Sequence, residues 1–374
     1  MPCSILDLPS EILAEVAFHV SNIPNTYPST LKSCILACKT FADHFRPRLF
    51  QCTIIDLGDN AHVLRCLAIL NGNPQYGNLV KILVAIGDSQ TPIHCPALPD
   101  LLLHLKKVNK LMIIELSFPS LPTSISQSML SFYNTNPLLR LEAYRCDGLP
   151  LGFIFNPKLE YIGIFHTSCG SESTMMPADA CSDSNSSGEV RLRELVIRRS
   201  SENIFTHTQR LLTFASSSLE TLRLTPCEPE PFCLNLAGLV RLRHLRLSAT
   251  SSLPHEARHL VTSLTQSLSQ SPSPDPPSPL ETISLSFSLD TQNAFMHLTD
   301  ATADWDKLEG ILADRARLPR LRGVNLEFKI VHRYTADPLP DLELCNQRAK
   351  ERLVSSLEDL GIEIRVCVTV ESDL

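Results

Sequence analysis

One pattern constrains this chain more than any other: an apolar-x-x-apolar-x-apolar hexad that recurs along most of its length. It stands at Leu79/Ile82/Val84, Val108/Leu111/Ile113, Leu138/Leu141/Ala143, Leu159/Ile162/Ile164 and Leu192/Leu195/Ile197. It continues at Leu219/Leu222/Leu224, Leu242/Leu245/Leu247, Leu280/Ile283/Leu285 and Leu321/Val324/Leu326. A last copy is expected at Leu357/Leu360/Ile362, running into 363–370. The final two apolar positions of each copy are two apart, the period of a strand whose alternate side chains point inward. Helical patterns at 204–214, 256–268, 305–316 and 342–357 separate several copies. A strand–helix pair of this size buries one face, so copies must stack to complete a core.

The arrangement resembles a leucine-rich-repeat solenoid, although its spacing of about 21 to 41 residues is looser than the regular family's. The asparagine that usually follows the strand is largely missing, with Cys146 and Cys227 as the nearest substitutes. Two stretches interrupt the copies. Residues 168–188 are rich in Ser, Asp and Gly, and 271–279 read Ser-Pro-Ser-Pro-Asp-Pro-Pro-Ser-Pro, which suits neither helix nor central strand. Both are expected to be exposed loops. Ser271, Ser273 and Ser278 each precede proline, so the second is either a phosphorylation site or a plain solvated spacer.

Composition narrows the class. With 43% hydrophobic and 20% charged residues the chain reads as globular rather than disordered. Its net charge of −7 is too mild to point to nucleic acid or an anionic membrane as partner. The 13 cysteines are scattered, form no Cys-x-x-Cys, and fall in part on apolar helical faces (Cys34, Cys38, Cys345), which fits free thiols in a reducing compartment. There is no basic-then-apolar leader pattern and no apolar run of membrane-spanning length. Cytosol or nucleus is the expectation.

The first 55 residues differ from the rest of the chain. Asp7-Leu8-Pro9-Ser10-Glu11 reads as a helix start, with proline and acid in the first turn. Ile12, Leu13, Val16 and Val20 then recur at helical spacing. Pro24 and Pro28 break the pattern before a second helix from Ser29 or Thr30, carrying Leu31, Cys34, Ile35, Cys38, Phe41 and Phe45 and ending at Pro47. A short strand is expected over 52–57. Two such helices cannot bury both their apolar faces against each other, so they call for a further partner, inside the chain or outside it.

The order Leu8-Pro9-x-Glu11-Ile12-Leu13-x-x-Val16, then Leu31, then Ala37-Cys38-Lys39-x-Phe41, then Pro47-Arg48-Leu49-Phe50 resembles an F-box, and more closely the F-box-like N-termini of fungal receptor proteins. The resemblance implies docking on the Skp adaptor, and through it on cullin, by Leu8, Pro9, Ile12, Leu13, Val16, Leu31, Cys38, Lys39 and Phe41. Phe41 stands where tryptophan is commoner, and the connection at 22–29 is longer than in the tightest members. The same residues would alternatively form a helical cap on the repeats. The chain is thus read as α/β: an F-box-like helical module over 1–55, then an irregular leucine-rich-repeat solenoid over 56–374, with parallel strands and helices or loops outside. The function implied is substrate receptor of a Skp–cullin–F-box ubiquitin ligase for some protein substrate, or a repeat scaffold outside any ligase.

Nothing points to chemistry of the chain's own. Gly87-Asp88-Ser89 echoes a serine-hydrolase block but brings no base or orienting group with it. His255 and His259 come closest to a metal pair and lack a convincing third ligand. Gly-rich phosphate loops are absent, and with 13 glycines the chain is poor in the residue they need. No metal, cofactor or catalytic residue is expected. One constellation remains. If the hexads set the register, Glu194, Val196 and Arg198, then Thr221, Arg223 and Thr225, then His244, Arg246 and Ser248 face the open side of three successive strands. Arg198, Arg223 and Arg246, with His244, would then form a stripe on strands about 4.8 Å apart, flanked by Arg191, Arg193, Arg199, Arg241 and Arg243. Planar guanidinium groups suit carboxylate or phosphate. The stripe is either a seat for an acidic or phosphorylated substrate segment or a solubilising surface neutralised by loop acids such as Glu228 and Glu230. Tyr144, Tyr161 and Phe165 offer an apolar alternative.

Overall fold

A computed structural model of the chain describes residues 9–21, 29–37, 39–88, 93–170, 189–198, 202–226, 233–236, 238–249, 254–269, 278–289, 295–296, 302–332, 341–353 and 362–372. They belong to two compact units, Met1–Leu149 and Pro150–Leu374.

The first unit opens with helices α1 (Ser10–Ser21), α2 (Ser29–Ala37) and α3 (Lys39–Gln51). The Pro9 carbonyl starts α1 by accepting from the N–H groups of Ile12 and Leu13, both at 3.1 Å. Where the sequence predicts one helix ending at Pro47, two helices form and Pro47 lies inside the second. A proline there forfeits a helical hydrogen bond. Tertiary contacts of the last turn offset the loss: the Arg48 guanidinium sits 5.2 Å from the Phe18 ring centre, and Phe50 stacks on Tyr76 at 4.5 Å.

Four parallel strands come next in chain order, β1 (Cys52–Asp56), β2 (Ile82–Ile86), β3 (Lys110–Ile114) and β4 (Arg140–Tyr144). Helices α4 (Asn60–Gly72), α5 (Leu98–His104) and α6 (Thr123–Thr135) carry the returns. The register corrects the first copy of the hexad. Leu83 and Ala85 align with Leu111 and Ile113 and are buried, so the inward set is Val80/Leu83/Ala85 rather than Leu79/Ile82/Val84. The run Ile82-Leu83-Val84-Ala85-Ile86 is apolar throughout, so alternation cannot choose its face, and a one-residue slip inverts every side chain. β1 is a repeat strand too, with Ile55 buried opposite Ala85. Thr53 in an apolar slot hides it from the pattern. Buried Asn136 links successive returns, its Oδ1 accepting from Val108 N–H at 3.2 Å and its Nδ2 donating to the Phe132 carbonyl at 3.1 Å.

The second unit continues with β5 (Tyr161–Phe165), β6 (Glu194–Arg198), β7 (Thr221–Thr225), β8 (His244–Ala249), β9 (Thr282–Leu289), β10 (Gly323–His332) and β11 (Glu363–Ser372), again parallel and in chain order. Returns include α7 (Leu151–Ile154), α8 (Glu202–Phe214), α9 (Pro254–Ser269) and the helices Thr302–Ala313 and Leu342–Leu353. Every apolar position of the hexads from Leu159 to Leu326 is buried. Strands lengthen from 5 residues in β5 to 10 in β10. An aromatic cluster lies under the longer strands: Phe287 stacks on Phe328 at 5.2 Å, and Phe295 meets Phe328 edge-on at the same distance. The last expected hexad is corrected as well. Ile364 and Val366 align with Val324 and Leu326, so they, not Leu360 and Ile362, take the inward strand positions. Leu357 and Leu360 lie outside the described residues.

Parallel strands in strict chain order, each bringing the same apolar positions inward, make this an α/β fold of leucine-rich-repeat type with helices at its N-terminus. Of the two expected loops, 171–188 and 271–277 lie outside the described residues. Their margins are not simply exposed. Cys169 is buried, which pushes its thiol up to about 12, and the Ser278 N–H donates to the Arg317 carbonyl at 3.3 Å.

Candidate functional site

Two surfaces were singled out by sequence, and each is built by a different part of the chain. In the N-terminal helices Ala17 and Phe45 form a small buried centre, with Val16, Val20, Cys34, Ile35, Phe41 and Leu49 packed around it. Phe41 and Phe45 lie 5.5 Å apart. Of the residues expected to dock the adaptor, Pro9, Ile12 and Lys39 are exposed, Val16 and Phe41 are half-buried against that centre, and Leu13 is 2% exposed. Leu13 therefore anchors α1 and presents no surface. Leu8 and Cys38, and the Leu31 side chain, lie outside the described residues. The most exposed apolar groups are Ile12 at 43%, Phe18 at 45% and Leu36 at 85%. Sequence reasoning missed Phe18 and Leu36 because an apolar residue on an amphipathic helix reads as core until the packing shows which face is covered.

The arginine stripe forms in part. Arg223 and Arg246 are register partners on β7 and β8, whereas Arg198 aligns with Thr225, one pleat further on. Arg223 and Arg246 already hold carboxylates. Arg223 pairs with Glu194 at 3.1 Å and Arg246 with Glu327 at 3.1 Å, while Arg198 lies 5.8 Å from the Phe165 ring centre. His244 joins the row through Nδ1, 2.8 Å from Thr282 Oγ1. The compensating acids thus come from other strands of the sheet, β6 beside β7 and β10 two strands from β8; Glu228 and Glu230, with Arg199, lie outside the described residues. Beyond β8 the same face is uncharged and polar at Thr282, Ser284, Ser286 and Ser288, each half-buried.

A further charge pattern runs along the entry edge of the second unit's strands. Glu160, Arg193, Glu220, Arg243, Glu281 and Arg322 succeed one another across neighbouring strands, tied by backbone hydrogen bonds of 2.9 Å. The Arg243–Glu281 pair closes to 3.8 Å. All six occupy the second position of their hexad, so aligning the copies would have revealed the alternation. In the first unit the corresponding face is apolar, with Ile54 exposed, Met112 and Ile114 half-buried and Val84 buried. At its centre the Lys110 ammonium meets the buried Glu142 carboxylate at 2.8 Å, and the Tyr144 hydroxyl donates to Glu142 Oε2 at 3.0 Å. In the second unit Tyr161 and Phe165 lean over Gly163, where a Cβ would meet Phe165 at 2.7 Å. These rings fill a gap in their own strand and are half-buried.

Ser89 lies outside the described residues. Residues 255–259 read His-Glu-Ala-Arg-His, the spacing by which two helical histidines can share a zinc ion. α9 carries the run and His259 is half-buried, but the side chains of 255–257 lie outside the described residues. Among the described residues no group of three His, Cys, Asp or Glu side chains could hold a metal. Among them, too, no helix is long and apolar enough to cross a membrane.

No family model and no curated protein matches the chain. Among solved structures it is similar to a chain of the TLR13–ssRNA13 complex, at 11% identity and a TM-score of 0.38. That alignment covers 78% of this chain and 36% of the other, so this chain spans about a third of that protein's length.

Proposed function

We propose that this protein is the substrate receptor of a Skp–cullin–F-box-type ubiquitin ligase. Its N-terminal helices would hold the Skp adaptor, and its repeats would hold a protein substrate. The chain would perform no chemistry and need no cofactor; it would raise the local concentration of a target lysine at the ubiquitin-charged enzyme. Cytosol or nucleus is the proposed setting. The observation that carries the reading is the exposed apolar surface of a module too small to bury it: Ile12, Phe18 and Leu36 stand out from a centre of Ala17 and Phe45. Apolar groups scattered singly are ordinary on any surface and mark a contact site where they join into one patch; the F-box-like residue order supports reading these three as such a patch and gives it its proposed partner.

Co-purification with the Skp adaptor tests the proposal. Ile12→Asp combined with Leu36→Asp alters exposed positions, so the fold is retained while the adaptor is lost. A complex that survives both changes contradicts the docking surface. A second reading, a repeat scaffold outside any ligase, draws on the burial of Leu13 and the packing of Val16 and Phe41, which a purely internal cap would also show. It predicts no adaptor binding by the unaltered chain.

A further inference from the structure

Helices α5 and α6 of the first unit leave a groove between them of about 500 Å³, a volume within the range of small-ligand sites. One wall runs from Pro99 to Lys106 and the other from Ser128 to Asn136. Leu102, Leu105 and Phe132 give it a buried apolar lining, and Leu103 stands at the rim, 72% exposed. Leu102 and Phe132 also wall a smaller void of about 10 Å³, whose other sides include Ala85, Leu98 and Met129. That void is lined by apolar side chains alone, so a water inside it would find no hydrogen-bond partner. Groove and void together favour an apolar occupant.

Charge is confined to one end of the groove. Lys106 is the one charged residue in the lining, and α6 carries no charged side chain anywhere along its length. Lys106 is exposed and forms no ion pair among the described residues. A lysine near helix C-termini ordinarily serves the terminal carbonyls. Those of Ser131 and Phe132, which both line the groove, are already served. Thr135 Oγ1 donates to the first at 2.9 Å, and Asn136 Nδ2 donates to the second at 3.1 Å. The ammonium is left for an anion.

We propose that this groove binds a medium-chain fatty carboxylate, its chain along Leu102, Leu105 and Phe132 and its headgroup on the Lys106 ammonium. The far end of the chain would lie at Pro99, beside Leu98, which walls the void. One lysine matches a monoanion. A phosphate monoester would bring a second charge that no cation in the lining meets. The groove shares no residue with the proposed adaptor and substrate surfaces, so the inference stands apart from the ligase reading.

Calorimetric titration of the full chain with octanoate is the test, with 1-octanol and octyltrimethylammonium as probes of the headgroup. Octanoate should bind one per chain and at least tenfold more tightly than either probe. Lys106→Glu should reverse the order of the two ions. Ser131→Trp alters an exposed lining position, so it should fill the groove and abolish binding with an unchanged melting temperature. Hydrogen exchange should show protection by octanoate confined to 98–106 and 128–136. Absence of octanoate binding, protection elsewhere, or indifference to both substitutions overturns the inference. So does 1-octanol binding as tightly as octanoate, which would make the groove an apolar seat for a protein segment instead.

Discussion

Arg223 and Arg246 face each other as register partners on β7 and β8, yet they bind carboxylates on opposite sides, Glu194 on β6 and Glu327 on β10. Two guanidinium groups on adjacent strands repel unless each is neutralised, and the sheet supplies one acid to each. The stripe is therefore closed at rest. Ion pairs this exposed contribute about 0.2–1 kcal/mol, so an incoming acidic segment would have little to displace. Changing Glu194 and Glu327 together to Gln should leave the melting temperature within a few degrees of the wild type. If the stripe receives acidic segments, a Glu/Asp-rich octapeptide should bind this variant at least fivefold more tightly by fluorescence anisotropy. Equal binding would assign the arginines to the sheet alone.

The register of β2 makes a prediction opposite to the one the hexad makes. Leu83 is buried and Ile82 is only half-buried. Leu83→Ala should cost about 2–5 kcal/mol through lost burial and a residual cavity. Ile82→Ala should cost about 1 kcal/mol or less. Denaturant midpoints of the two variants decide the matter, and the reverse ranking would restore the shifted register.

Lys110 and Glu142 form the most enclosed ion pair described in the first unit. Removing one partner strands the other in a poorly solvated site, while removing both removes the problem. Lys110→Met should destabilise by about 3 kcal/mol, and Lys110→Met with Glu142→Leu should recover most of that loss. Additive effects in the double variant would show that the pair is not coupled.

Asp59 caps α4 by accepting from the His62 N–H at 3.0 Å, and that hydrogen bond, with Arg65 nearby, holds its carboxyl below the usual carboxylate range. A depressed folded-state value means the cap stabilises fully above the unfolded carboxylate pKa and is lost as pH falls through the folded one. Asp59→Ala should thus lower the melting temperature at neutral pH and differ progressively less from wild type as the solution is taken into strong acid. A gap that persists undiminished in acid would assign the effect to packing.

Much of the fold was legible because the hexad couples spacing to burial: from Val108 through Leu326 the apolar positions all turn inward. It failed at both ends for physical reasons. β2 is apolar on both faces, and β1 carries Thr53 where an apolar residue was sought. Pro47 was misjudged because propensity is local, whereas Arg48 on Phe18 and Phe50 on Tyr76 hold that turn from outside it. For the candidate surfaces, residue identity located the strand face but not its pairing. That Arg223 and Arg246 align could be read from hexad positions; that Glu327, 81 residues beyond Arg246, neutralises it depends on two intervening strand connections. The exposure of Leu36 likewise needed three helices in place.

The proposed function turns on whether the N-terminal helices dock the Skp adaptor. Calorimetric titration of purified adaptor into the full chain decides this, with Ile12→Asp/Leu36→Asp as the surface variant and Arg223→Glu/Arg246→Glu as a control on the repeats. One-to-one binding is expected for the wild type and the repeat variant, weakened at least a hundredfold in the helix variant. Absence of binding by the wild type, or equal binding by all three, would contradict adaptor docking by these helices.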